Sequence, residues 1–269
     1  MGRKMPLSVE RKKNMNIYVC VKHVPDSAAT ITVDGKNGIN EKVTFLVNPY
    51  DEHALTEAAT IKASSTGTEV VAVCLGKPAA ENTLRAAMAM GADRSILIET
   101  DRSHDSIFTA RALAAAIRSD GQPWLILTGK ESIDSEGMQT QFRMAQGLGM
   151  PVATNVVKVD VDGDGVQVEC EREPGTIDVI RMHTPCVLAA GKGLNTPNYP
   201  TFPDIVKSRK KPVKRIGLSD LAIDQPPAGM HVEVLVPAVE QRMPKAIVGS
   251  AADIAVQIVD ILKNEAKVI

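Results

Sequence analysis

The sequence predicts an α/β chain built on a parallel sheet, with antiparallel strands added at one edge and an extended C-terminal arm. Three observations carry this. From residue 15 to about 150, short apolar runs alternate with amphipathic helical stretches, the pattern of a sheet covered by helices on both faces. After Pro151 strand-like runs follow one another with no helix between them. Residues 191–248 are rich in Pro and in isolated apolar residues, so that stretch has little with which to bury a core of its own and is expected to wrap something else. The expected organisation is a disordered basic leader over 1–14, an α/β domain over 15–190 and an arm over 191–269 that ends in a helix.

Residues 15–22, MNIYVCVK, form the first strand, apolar almost throughout as a strand covered on both faces should be. His23 to Ser27 leave its carboxyl end, Asp34-Gly35 and Asn37-Gly38 mark turns, and 43–47 is a second short strand. Asn48-Pro49-Tyr50-Asp51-Glu52 is a helix start with Asn at the N-cap, Pro at N1 and acids in the first turn. Ala54, Leu55, Ala58 and Ile61 continue it as an apolar stripe. A strand over 70–75 ends at Gly76, and Pro78 opens a helix that Gly91 stops. Residues 95–98 are a strand, Ser103 caps a helix whose Ile107, Ala110, Ala114 and Ile117 face inward, and 124–127 is a strand again. Met88 and Met90 belong to the core. Residues 152–161, 165–172, 176–182 and 186–190 read as antiparallel strands, joined by tight turns at Asp162-Gly163-Asp164-Gly165 and Glu173-Pro174-Gly175. The Asp-Gly repeat lacks the spacing and closing Glu of a calcium loop. At the far end, Ser250 to Asp253 form a capping box ahead of Ile254, Ile258, Val259 and Leu262 on one helix face.

Charge and cysteine usage narrow the function. Lys plus Arg total 31 against 32 for Asp plus Glu, so no net field attracts nucleic acid or acidic lipid. The four cysteines, Cys20, Cys74, Cys170 and Cys186, are widely spaced, with no C-x-x-C and no His at metal-site spacing, which predicts free thiols, no metal and a cytoplasmic location. No apolar run approaches the roughly 18 residues of a membrane span, and the leader lacks the apolar centre of a secretory signal. Met15 is an alternative start.

The stretch that promises chemistry follows the strand at 124–127. Thr128-Gly129-Lys130 breaks that strand, a polar loop carries Asp134, Glu136 and Gly137, and Met138-Gln139-Thr140 open a helix that ends at Gly147 or Gly149. A strand end, a Gly-containing loop and a helix N-terminus bring backbone N–H groups and the positive end of a helix dipole to one point, which makes an anion site. Neither G-x-x-x-x-G-K-[ST] nor G-x-G-x-x-G is present. No nucleophile–base pair or paired-carboxylate arrangement stands out, and Asp134 and Glu136 are two apart on a loop, so bond-making catalysis is not expected.

The loop resembles the phosphate-binding loop of electron transfer flavoprotein β subunits, G-[KR]-Q-x-I-D-x-D-x-x-Q-T-G, with Gly129-Lys130, Ile133-Asp134 and Gln139-Thr140 as matches. Glu131 stands in place of Gln, Glu136 in place of Asp and Gln141 in place of Gly. The resemblance extends to Val19-Cys20-Val21-Lys22 with Val24-Pro25-Asp26, to 47–52 with Ala54-Leu55, to 89–94, to the acidic run 169–173, to 193–200, and to 205–207 with 210–212. It implies a Rossmann-like, adenine nucleotide α hydrolase-like sheet, and a heterodimer whose α subunit holds the redox FAD while this chain supplies a shell beside it. It further implies AMP in this subunit, or in the electron-bifurcating members a second FAD that takes hydride from NADH. The implied nucleotide contacts are the backbone of Cys20 and Val21, with Asn48, Asp51, Cys74, Gly76, Asp134, Met138, Gln139 and Thr140. Gln139-Thr140 and 209–212 look like the AMP-bearing group, whereas Met138 replaces an Asn.

The resemblance also implies a recognition loop by which acyl-CoA or other dehydrogenases dock, electrons passing on to a quinone reductase or other acceptor. The anchoring position is Phe202, beside Pro203 and Tyr199, with the basic run Lys207, Arg209, Lys210, Lys211, Lys214 and Arg215 behind it. Two rivals are weaker. A stand-alone adenine-nucleotide sensor of the universal-stress type has no use for 191–248, and an ATP-pyrophosphatase ligase would need an S-G-G-x-D-S loop where Lys22 to Asp26 stand.

Overall fold

The computed structural model describes residues 15–163, 165–173, 175–223, 230, 232–237 and 244–269. The expected basic leader, residues 1–14, lies outside them, as do parts of the expected arm. The chain divides into two compact units, Met1–Glu233 and Val234–Ile269.

In the first unit β1 (Met15–Cys20) leads to two small ribbons, formed by β2 (His23–Pro25) with β5 (Phe45–Val47) and by β3 (Val33–Asp34) with β4 (Gly38–Ile39). Then come α1 (Pro49–Ser64), β6 (Thr68–Gly76), a 3-10 turn at Pro78–Ala80 running into α2 (Glu81–Ala89), β7 (Arg94–Glu99), α3 (Ser106–Asp120), β8 (Pro123–Gly129) and α4 (Thr140–Leu148). β9 (Val152–Asp162), β10 (Gly165–Glu171), β11 (Ile177–His183), β12 (Cys186–Ala190), α5 (Phe202–Ser208), β13 (Val213–Gly217) and a 3-10 turn at Leu218–Asp220 complete it. The second unit contains α6 (Ala251–Asp260), continued as a π turn over Ile261–Glu265.

Nine strands make one sheet in the order β11-β10-β9-β12-β8-β1-β6-β7-β13. The central strands are apolar at consecutive positions because both faces are covered. Ile17 and Val19 of β1 pack with Leu55 of α1 and Leu84 of α2, whereas Tyr18 and Cys20 pack with Phe108 and Leu113 of α3 and Met144 of α4. α1 is buried nearly all round, so its polar residues need partners. The segment after β12 supplies them: Asn195 donates to the His53 carbonyl at 3.1 Å and to Glu57 at 3.0 Å, and the Asn198 N–H reaches Thr56 Oγ1 at 3.0 Å.

Four expectations need correction. β12 is not an antiparallel edge strand: it lies parallel between β8 and β9, and only β9-β10-β11 form the antiparallel extension. The chain does not leave the α/β body at 190, because β13 adds to the far edge beside β7 and α5 packs on α2. α3 is capped by Asp105, whose carboxylate accepts the Phe108 N–H at 2.8 Å, not by Ser103, and Ile107 faces outward. α4 starts at Thr140, leaving Met138 and Gln139 in the loop. In the second unit the capping box forms as expected, with the Asp253 N–H donating to Ser250 Oγ at 3.3 Å.

Candidate functional site

β1 is flanked by β6 on one side and β8 on the other, all parallel. The chain winds outward from β1 to β6 and β7, then returns to β8, so the strand order reverses between β1 and β8. In open α/β sheets the crevice past the carboxyl ends at such a reversal is where ligands bind. Asn48, Asp51 and the loop between β8 and α4 meet there.

Asp51, buried in the first turn of α1, clasps the two strand ends. Its Oδ2 accepts the Lys22 N–H at 2.7 Å and its Oδ1 the Gly129 N–H at 2.9 Å. Position 129 must be Gly, since a Cβ there would meet Tyr50 Cβ at 2.6 Å and overlap Asp51 Oδ1 more closely still. Burial pushes the Asp51 carboxyl up to about 7, against the pull of the Lys22, Asn48 and Gly129 hydrogen bonds and the Lys22 charge.

Asn48 does not cap α1 with its side chain. Wholly buried, it donates from Nδ2 to the Glu131 carbonyl at 2.8 Å and accepts the Ile133 N–H at 3.1 Å, so it holds the loop. Gln141 sits where the resemblance expects Gly. It too is buried, and its Nε2 donates to the carbonyls of Lys130 at 2.9 Å and Met138 at 3.3 Å. The Lys130 and Lys192 ammonium groups both lie 5.4 Å from the centre of the Tyr50 ring, the geometry of a cation–π contact.

Beyond this anchored stretch the backbone takes uncommon angles. Glu136 and Met138 have φ of 48° and 50°, on either side of Gly137. Left-handed conformations at non-glycine residues cost on the order of 1–3 kcal/mol each and collect at functional sites. Turns that contain left-handed residues can gather successive N–H groups into an anion-binding nest. A Cβ on Gly137 would meet nothing within 4 Å, so the space beside the turn is open. Gln139, at the N-cap of α4, makes no side-chain capping bond, which leaves the first-turn N–H groups of a nine-residue helix for a ligand or water. Its side chain instead accepts from Arg143.

The other expected site residues divide. Asp134 is in the loop, ion-paired with Lys22 at 2.7 Å. Cys20 ends β1 and Cys74 lies near the end of the adjacent β6, but both thiols are buried in opposite cores and burial pushes them up, Cys74 to about 12. The Val21 N–H donates to the Val73 carbonyl at 2.9 Å, and the Gly76 carbonyl accepts the Thr100 N–H at 3.0 Å. Phe202 and Pro203 open α5, which packs against α2, and Tyr199 precedes it; Tyr199 and Phe202 are each 77% exposed. Of the basic run, Lys211, Lys214 and Arg215 bind within the chain: Lys211 to the carbonyls of Met88 and Ala92, Lys214 to Asp120, Arg215 to Glu81 and Glu99. Lys22 and Gln141 were not expected in the site. The signal for Lys22 was present, a lone cation closing an apolar strand at the end where ligands bind.

A profile described as "Electron transfer flavoprotein domain" matches residues 37–221. The chain belongs to the electron transfer flavoprotein family. It is 32% identical over 263 residues to the electron transfer flavoprotein subunit beta of Bacillus subtilis, covering 95% of this chain and all of that one. It is 35% identical over 261 residues to the mitochondrial β subunit of Arabidopsis thaliana, with the same coverage. Subunit CarD of the caffeyl-CoA reductase-Etf complex of Acetobacterium woodii is 34% identical over 222 residues, covering 81% of this chain and 84% of that one. The relatives identify the chain as a β subunit of an electron transfer flavoprotein, a protein of electron transfer. Among the described residues no helix is long and apolar enough to cross a membrane, and no group of three or more His, Cys, Asp or Glu is placed to hold a metal.

Proposed function

We propose that the crevice past β8, β1 and β6 holds AMP, and that the chain completes the site of an FAD carried by the α subunit. The observation that carries this is the turn at Glu136 to Met138 with the uncapped start of α4: a built anion cradle at the reversal of strand order. The N–H groups of Met138, Gln139 and Thr140 and the Thr140 hydroxyl would receive the phosphate. The strand-end backbone at Cys20, Val21, Cys74 and Gly76 would border the adenosine. Asn48 and Asp51 serve the site by holding the loop and the strands, since their side-chain oxygens already accept N–H groups. FAD, when bound, supplies the electron chemistry. This chain shapes and shields the place where it sits, without making or breaking bonds itself.

The exposed patch at Tyr199, Phe202 and Pro203 would dock acyl-CoA or other dehydrogenases in the cytoplasm, with electrons leaving to a quinone reductase or another acceptor. The name of the Acetobacterium relative, a subunit of a CoA-ester reductase complex, supports that class of partner. Met138, exposed beside open space where the AMP-bearing pattern has Asn, favours the second reading of an additional FAD. Co-purification with the α subunit, denaturation and chromatography of the released nucleotides separates the two. One FAD and one AMP per heterodimer is the expected result, two FAD and no AMP would mean a bifurcating subunit, and retention of ATP by a chain that forms no heterodimer would sink both.

A further inference from the structure

We infer that Lys22 is a positioning residue for the nucleotide loop, its ammonium group latching residues 132–135 over the crevice so that a bound adenine nucleotide leaves slowly. This rests on the reading of the crevice as a nucleotide site.

The loop between β8 and α4 is held unevenly along its length. Its first part is fixed by well-buried partners: the Lys130 N–H donates to the Ala190 carbonyl at 3.0 Å, and Asn48 and Gln141 hold Lys130, Glu131 and Ile133. The next part is tied by Lys22, whose Nζ donates to Ser132 Oγ at 3.1 Å, Asp134 Oδ1 at 2.7 Å and Ser135 Oγ at 3.3 Å. Three acceptors satisfy the three donors of an ammonium group.

Lys22 is well suited to open and close. Its backbone is tied on both sides, with the N–H donating to Asp51 and the carbonyl accepting the Asn48 N–H at 3.1 Å, while its side chain is half exposed. The side chains of Lys22 and Asp134 are 46% and 28% exposed, which leaves the pair screened by water and easily broken. Asn48 and Gln141 hold the loop from Lys130 to Ile133, Lys22 gathers the side chains of the Ser132-to-Ser135 turn, which the Glu136 N–H closes on the Ser132 carbonyl at 2.8 Å, and the left-handed turn at Glu136 to Met138 follows.

The test uses the heterodimer with its α subunit, loaded with radiolabelled AMP and chased with unlabelled AMP. Lys22→Gln is expected to release label roughly two- to fivefold faster than wild type, Lys22→Arg to restore slow release, and added salt to quicken wild type toward the Gln variant. The thermal midpoint of the AMP-free complex should not change, which separates a latch from a general structural role. Asp134→Asn cuts the same pair from the loop side and should also speed release, which keeps the test open if Lys22→Gln does not assemble. Equal release from wild type and Lys22→Gln, or slower release from Asp134→Asn, would overturn the latch and leave the nucleotide site standing. A wild-type complex that retains no adenine nucleotide would overturn the site itself.

Discussion

Arg85 and Lys211 each satisfy main chain beside the other: Arg85 Nη1 donates to the Lys211 carbonyl at 2.7 Å, and Lys211 Nζ donates to the carbonyls of Met88 at 2.8 Å and Ala92 at 2.7 Å, at and just past the end of α2. Arg85 also reaches the carbonyls of Ser208 and Arg209 at the end of α5. Cations at helix carboxyl ends complement both the unpaired carbonyls and the dipole. The exchange fastens α5 to α2 and sets β13 against β7. Lys211→Met should cost the co-purified heterodimer about 1–2 kcal/mol and lower its thermal midpoint by roughly 2–8 °C. An unchanged midpoint in differential scanning fluorimetry would show that Lys211 is only a solvated member of the basic run.

Asp51 makes stability depend on pH in an unusual direction for an acid. Burial raises its carboxyl to about 7, above the ordinary carboxylate value, so the folded state binds the proton more tightly than the unfolded one. The stability linked to this group is fully present below the ordinary value and is lost as pH rises through about 7. Asp51→Asn removes that dependence. Its amide can accept only one of the two N–H groups, so it should be destabilising by about 1–3 kcal/mol at low pH, with the gap to wild type narrowing between pH 5 and 8 in urea titrations. A gap that widened over that interval would contradict the assignment.

Asp120 works with the opposite sign. Burial alone would raise it, but hydrogen bonds from Arg94 at 2.7 and 3.1 Å and from Tyr18 at 2.9 Å, with the Arg94 and Lys214 charges, hold it below the usual carboxylate range. Its stabilisation is present above the ordinary carboxylate value and is lost as pH falls through the lowered one. Asp120→Asn should cost about 2 kcal/mol at pH 7, and the difference from wild type should shrink toward pH 3. A difference that stayed constant on acidification would exclude the ionised carboxylate as the cause.

Phe202 is mostly exposed at the first position of α5, where Asp204 accepts the Thr201 N–H at 3.1 Å and its hydroxyl at 2.6 Å. Little of the fold leans on the ring. If it anchors a dehydrogenase, Phe202→Ala should weaken that complex by about 2 kcal/mol, near thirtyfold in Kd, while thermal stability stays the same. Calorimetry with an acyl-CoA dehydrogenase would measure both quantities, and an unaltered Kd would remove Phe202 from the docking surface.

Local signals announced the local features. Asn48-Pro49 opened a helix, Gly91 stopped one, and Ser250 capped one where expected. What could not be read was where side chains went once the chain folded. Asn48 looks like a cap because its neighbours are helical, yet its partners are Glu131 and Ile133, more than 80 residues on. Ser103 and Asp105 are both good caps, and the phase of α3 decided for Asp105 and turned Ile107 outward. β13 was hidden because Val213 and Ile216 are interrupted by Lys214 and Arg215, charges that an edge strand tolerates beside Asp120, Glu81 and Glu99. β12 read as another member of an antiparallel run, since its apolar residues suit either direction of pairing. The loop was recognisable as an anion site from Gly129, Gln139 and Thr140, but the left-handed Glu136 and Met138 carry no residue signature of that conformation.

The position of β12 decides the order in which the chain can be completed. It is made after β9, β10 and β11, yet it lies between β8 and β9 and pairs with both. Until residue 190 has emerged from the ribosome, the three-stranded meander has no hydrogen-bonded seam to the rest of the sheet. It can form its own hairpins early, because those contacts are local, but it must wait beside the half-built sheet for a strand to be slotted in. A nascent chain halted just before Cys186 would therefore leave the facing edges of β8 and β9 unpaired, in addition to the β7 edge that β13 later covers, and those edges are where a stalled chain would meet its neighbours.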